Sequence, residues 1–214
     1  MYSMTSEDVD FYASPNAAKA FADKISDSKI HIPEADNHTP NSAVVEGTIG
    51  GRVIKIDFLH SIKGVDAKSI KDNYVTLTGS RTDTGAELEI RLLHPLDCLR
   101  SRLSNINDLK RYGLHSVSSA KAAMLVLDSF IDDLLEVGWI KDAQSTLRDL
   151  QHVIRRKCLG QIANQKFGID PTWILEKYLT DNRLDERWRS FQLASSVRRL
   201  KERADAIQRR NHRG

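Results

Sequence analysis

The hydrophobic period changes at Pro95, and that change limits the possible fold more than any other feature of the chain. Before it, apolar residues come in short runs broken by Gly, Pro, Asn and Asp, as in strands joined by turns. After it, they recur at three- and four-residue spacings over long stretches, as in amphipathic helices. The expectation is an α+β chain: a small mixed β-sheet with flanking helices over residues 1–95, then a helical domain over 96–214.

Within the first part, "VDFYA" is a strand candidate. "NAAKAFADKI", following Pro15, predicts a helix with Ala18, Phe21, Ala22 and Ile25 on one face. "KIHIPEA" alternates briefly and stops at Pro33. "SAVVEGTIGGRVIKIDFLH" predicts two strands joined at Gly50-Gly51, a strong hairpin signal. "NYVTLTG" and "AELEIRLLH" predict two more strands around a polar turn at Asp83 to Gly85.

Pro95 suits a first helical turn, and Leu96, Leu99, Leu103 and Ile106 then share a face. A second helix carries Ala120, Ala123, Met124, Leu127, Phe130, Ile131, Leu134 and Leu135, with Gly138 placed to end it. A third is expected to use Leu147, Leu150, Ile154 and Ile162. A fourth begins near Pro171 with Trp173, Ile174 and Tyr178. The last runs through Leu193, Val197, Leu200, Ala204 and Ile207. These stripes read as bundle core, and their seams are too short for a coiled coil.

Several classes are excluded or disfavoured. No apolar run is long enough to span a bilayer. No basic-plus-apolar leader opens the chain, and Cys98 and Cys158 fit neither a zinc spacing nor a disulfide framework, so a reduced, cytoplasmic setting is expected. The seven histidines lack H-x-x-x-H spacing, which argues against zinc. There is no G-x-x-x-x-G-K-[ST] loop, so a P-loop ATPase is excluded. Net charge is +3, but residues 198–214 alone carry +5. Arg198, Arg199, Lys201 and Arg203 are therefore candidates for contact with nucleic-acid phosphates, against the plainer reading of a solvated helix end.

Three carboxylates stand out. "MTSEDVDFYAS", residues 4–14, holds Asp8 and Asp10, which would share one face of a strand while Val9 and Phe11 take the other. "RVIKIDFLH" sets Asp57 between Ile56 and Phe58, a costly place for a charge without a partner or a metal. Three carboxylates converging on one sheet face would suit one or two Mg²⁺ ions, or Mn²⁺, of the kind that clamp nucleotide phosphates. One of them could also accept the proton of an attacking hydroxyl.

"TSEDVDF" followed some fifty residues later by "KIDFL" resembles the D-x-D plus third-carboxylate pattern of the nucleotidyltransferase (polymerase-β-like) superfamily. "NHTPNSAVVEGTIGGRVIKIDFLHSIKGVD" and "RLLHPLDCLRSRLSNINDL" are similar to bacterial nucleotidyltransferase-like proteins related to AbiEii/AbiGii-type toxins. The resemblance covers about residues 3–110. It implies a nucleotidyltransferase-like domain, and transfer of a nucleoside monophosphate from an NTP to an acceptor, in a toxin–antitoxin or phage-defence setting. By that pattern Asp8 and Asp10 are metal ligands, and Asp57 is ligand or catalytic base. Arg102 and Asp108 would be the basic and acidic residues of the following helices, Arg102 contacting nucleotide phosphates. RNA, a protein side chain or a small molecule would be the acceptor, and an antitoxin a partner.

The superfamily also carries a Gly-Gly or Gly-Ser turn upstream of its D-x-D pair, whereas the seven residues before Asp8 include no glycine. Two other readings follow: a catalytically silent nucleotide- or partner-binding relative, and a helical module that binds nucleic acid through its basic end.

Overall fold

Gly50 and Gly51 both hold a positive φ, 57° and 77°. This mirror-image turn matches the twist of the strands it joins. Those strands, β3 (Asn41–Ile49) and β4 (Arg52–Leu59), are the centre of a four-stranded sheet. The computed structural model describes residues 9–34 and 36–211. They divide into two compact units, Met1–Ile62 and Lys63–Gly214.

In the first unit, β1 (Val9–Tyr12) leads into α1 (Pro15–Ala22) and β2 (Lys29–His31), and then the hairpin. Ser14 caps α1 by accepting the Ala17 N–H, and Pro15 fills its first turn. The sheet order is β1-β4-β3-β2. β1 runs parallel to β4 and the other pairs are antiparallel, so the sheet is mixed. Strand alternation gives it two unlike faces. One holds Ala43, Val45, Ile56 and Phe58, buried together with Ala18 and Ala22 of α1. The Phe58 ring lies 5.7 Å from both Phe11 and Phe21. The other face carries Asp10, Asp57 and Val44, which sit in one cross-strand row. A shift of register at Asn41/Ala43 is stitched by Ser42, whose hydroxyl donates to Ala13 O and is 3.1 Å from Phe58 O.

The second unit opens with α2 (Ala67–Asp72), capped by the Asp66 carboxylate, and the hairpin β5 (Tyr74–Ser80) and β6 (Glu87–Leu93). Helices follow: α3 (Pro95–Asn107), α4 (Leu114–Glu136), α5 (Ile140–Arg155), α6 (Ile162–Phe167), α7 (Thr172–Lys177) and α8 (Ala194–Asn211). π-helical turns precede α6 (Lys157–Gln161) and α8 (Trp188–Leu193). The leucine stripes make one core, with Leu99, Leu103, Ile106, Leu127, Ile131, Leu147, Leu150 and Leu193 fully buried. Gly138, at φ 80°, ends α4.

The chain is thus α+β, with a small mixed sheet and several helices. Two details differ from expectation. The division falls at 62/63 rather than 95. Tyr74–Ser80 and Glu87–Leu93 pair with each other in a two-stranded sheet of their own, and the Ser69 hydroxyl of α2 donates to Asp97 of α3 at 2.6 Å. The third helix also ends sooner. Arg156 adopts an extended conformation (ψ 125°), so Ile162 starts α6 instead of continuing the Leu147 stripe. No helix among the described residues is long and apolar enough to cross a membrane.

Candidate functional site

The open face of the first sheet holds the acidic candidates. Asp10 and Asp57 are direct partners in the parallel β1–β4 ladder, so their side chains leave the same face of adjacent strands. Neighbouring strands lie about 4.8 Å apart. The arrangement follows from two local choices. Phe11 and Phe58 take the core face, and each carboxylate is one residue before its phenylalanine.

Asp57 is half-buried, and its Oδ1 accepts no hydrogen bond among the described residues. The Lys55 ammonium lies 3.9 Å from that oxygen, beyond hydrogen-bonding range. Asp10 is exposed. Asp8 lies outside the described residues. Among the described residues no group of three or more His, Cys, Asp or Glu is arranged to hold a metal ion. The Asp10–Asp57 pair alone fits part of the shell of a hard divalent cation, which takes carboxylate oxygens and fills its other positions with water or phosphate.

The other candidates are in the second unit. Arg102 is exposed on α3. Its neighbour Arg100 is engaged instead: its guanidinium donates to the fully buried Asp97 at 2.7 Å, and the Ser69 hydroxyl holds the other carboxylate oxygen. Asp108 lies 3.6 Å from Lys63. On α8, Lys201 pairs with Glu176 at 2.9 Å, and Arg198 approaches Glu202 at 3.9 Å. Arg199 donates to the Ser196 hydroxyl, and Arg203 is exposed. The four basic residues are therefore not one equivalent patch.

Two networks lie outside the candidates that the sequence singles out. His94 is buried at the N-cap of α3, where its Nδ1 accepts the Leu96 N–H at 3.2 Å and its ring sits edge-on to Phe130, with centroids 4.9 Å apart. Burial lowers its pKa, Arg100 reinforces this, and Asp97 and Asp149 oppose it. Its signal was His94 before the helix-opening Pro95, with Asp97 three residues on. The second network joins Asp128 and Asp132, one turn apart on α4, to Lys177 and Arg183. Asp181 clamps Arg183 from its other side. Burial would raise the Asp132 pKa, but hydrogen bonds from Lys177 and Arg183 outweigh it and hold the carboxyl below its ordinary range. The i, i+4 acidic pair was its signal.

No protein-family model, no curated protein and no solved structure matches this chain.

Proposed function

We propose that the first unit is a metal-dependent nucleotidyltransferase-like site, moving a nucleoside monophosphate from an NTP to an acceptor hydroxyl. The observation that carries this reading is the register of Asp10 with Asp57, together with the Asp57 oxygen that accepts no hydrogen bond. Two like charges on adjacent strands repel, and a divalent cation relieves that repulsion. In this reading Asp10 and Asp57 hold Mg²⁺ or Mn²⁺, with Asp8 as a third ligand, as its two-residue spacing from Asp10 suggests. The bound cation would neutralise phosphate charge during the displacement. Asp57, the less exposed of the pair, is placed to orient the acceptor hydroxyl or take its proton. The family resemblance supplies the reaction class, and with it a toxin or phage-defence role with an antitoxin partner.

The test is incubation with Mg²⁺ and each α-³²P-labelled NTP in turn, with total RNA and lysate protein as acceptors. Label transfer that disappears in Asp57→Asn supports the reading. Metal-dependent nucleotide binding without transfer to any acceptor would replace it with a silent nucleotide-binding relative.

A further inference from the structure

Five arginines of the second unit gather where α5, the π-helical turn at Trp188–Leu193 and α8 meet. Three depressions there, of about 660, 420 and 210 Å³, run into one another. The first and second share Trp188, Phe191 and Gln192, and the second and third share Gln151, Ser196 and Arg199. Arg187, Arg148, Arg155, Arg199 and Arg203 line the resulting groove. Its one acidic lining residue, Asp185, is at the Arg187 end and already accepts the Trp188 N–H. The other two depressions have no carboxylate in their walls.

We infer that this groove binds single-stranded nucleic acid. Arginines supplied from two facing helices form a channel of one sign, which focuses a positive field on a polyanion. Arg199 and Arg203 are one turn apart on α8, and Arg148 and Arg155 two turns apart on α5, so the charges repeat along the groove. From Arg187 to Arg203 the groove follows roughly 20 Å of helix, a little less than an α-helix of that length because Trp188–Leu193 is π-helical. Glutamines and serines between the arginines supply neutral hydrogen-bonding groups for sugars and bases.

The aromatic group separates a single strand from a duplex. Phe191 is 71% exposed on the groove wall, a large apolar ring held in water beside arginines. An unpaired base can stack on such a ring, whereas a paired base has its faces covered. Arg148 sits 5.9 Å from the ring of Trp188, which is itself buried, so Phe191 is the aromatic surface the wall offers. A bilayer surface is disfavoured because the charges line a concavity that a flat headgroup plane cannot enter.

The groove assigns the basic residues of α8 unequally. Arg199 and Arg203 line it, while Arg198 and Lys201 do not and are turned to Glu202 and Glu176. The inference goes beyond the transfer reading and does not rest on it. It is tested without NTP or metal, so the two fail separately.

The experiment measures binding of fluorescein-labelled twelve-residue oligo-uridine and oligo-thymidine, and of a duplex of equal length, to the full chain between 50 and 200 mM salt. Anionic vesicles serve as a competitor. Binding of either single strand supports the inference, and the ratio of the two tells whether RNA or DNA is preferred. Replacing Arg148, Arg155, Arg199 and Arg203 by Gln should flatten the log–log salt slope by about 3, at roughly 0.7 per phosphate contact for single strands. Phe191→Ala should lower affinity about 5- to 150-fold with the slope unchanged, the span expected for one stacked base. Arg198→Gln/Lys201→Gln should leave both nearly unchanged. Circular dichroism melts confirm that each variant is folded. The inference is overturned if the four-arginine variant keeps its slope, if the Arg198/Lys201 variant loses as much, if the duplex binds as well as the single strands, or if vesicles displace the oligonucleotide at equal charge.

Discussion

Asp57 stands directly across the β1–β4 ladder from Asp10, with Val44 opposite it on its other side, so the one neighbouring carboxylate in that row repels it. Removing the Asp57 charge therefore has different effects with and without metal. In EDTA, Asp57→Asn should change stability by less than about 1 kcal/mol, since relief of the like-charge pair is set against loss of the Lys55 ion pair. With Mn²⁺ at a hundredfold excess over its Kd, the unmodified chain should gain about 2.7 kcal/mol, and the variant little of it. Thermal melts in the two buffers measure both, and equal Mn²⁺ stabilisation of the two proteins would sink the metal site.

Leu127 is fully buried at the middle of α4. Leu127→Ala should destabilise the second unit by about 2–5 kcal/mol through lost burial and the cavity left behind. Urea unfolding followed by helical ellipticity checks it. A loss under about 0.5 kcal/mol is the behaviour of surface positions and would remove Leu127 from the core.

Gly47 tests the packing of the first unit. A Cβ at this position would lie 2.6 Å from Cγ2 of Ile25. Gly47→Ala forces that side chain aside, and the expected cost is about 1–3 kcal/mol, the range for overpacking. Hydrogen exchange of the β3 amides should rise in step.

His94 links stability to mild acid. Its folded pKa is depressed below the ordinary 6.5, chiefly by burial. The neutral ring is the form the fold accepts, so the His94 contribution is fully present above that ordinary value. It is lost as the pH falls from there through the lower folded pKa. Unfolding free energies from pH 8 to 5 should fall more steeply in the unmodified chain than in His94→Asn, which keeps a capping acceptor without the titration. Parallel curves for the two proteins would count against it.

Asp132 works in a lower range. Its carboxyl is held below the ordinary 3.8 because the Lys177 and Arg183 hydrogen bonds outweigh burial. Its contribution is present above that value and disappears as the pH falls through the depressed one. Asp132→Asn should cost roughly 1–2 kcal/mol at pH 7, charge-assisted hydrogen bonds discounted for partial exposure, and progressively less as the pH falls below 3.8, which urea unfolding across that range measures.

Local patterns carried most of these elements in the sequence. The Gly50-Gly51 turn, the Leu96–Ile106 face and the Ala120–Leu135 stripe depend on neighbours a few residues apart, and periodicity reports such neighbours directly. Non-local facts were less legible. That Tyr74–Ser80, among the described residues, pairs only with Glu87–Leu93 depends on which strands meet, which two similar alternating runs do not specify. The break after Arg155 was hidden because Ile162 keeps apolar character on the far side of an extended residue. For the candidate site, the two-residue spacing and the lone carboxylate of "KIDFL" pointed to Asp10 and Asp57, and their register is what the fold adds. Of the groove arginines, Arg199 and Arg203 stand in the basic run that the sequence shows, whereas Arg148 and Arg155 are scattered among polar residues and carry no such signal. Only the meeting of α5 with α8 makes them one surface.

The hairpin turn at Gly50-Gly51 also governs the parity of β4. Asp57 and Phe58 are adjacent, so inserting or deleting one residue between the turn and Asp57 exchanges their faces. The phenyl ring would then enter water and the carboxylate would enter the packing under α1. A one-residue change in this segment keeps both faces only where a bulge absorbs it, as the shift at Asn41/Ala43 does in the neighbouring strand. Across descendants of this chain, the spacing from the glycine pair to the acidic residue should keep its parity, odd or even, unless such a bulge arrives with the change.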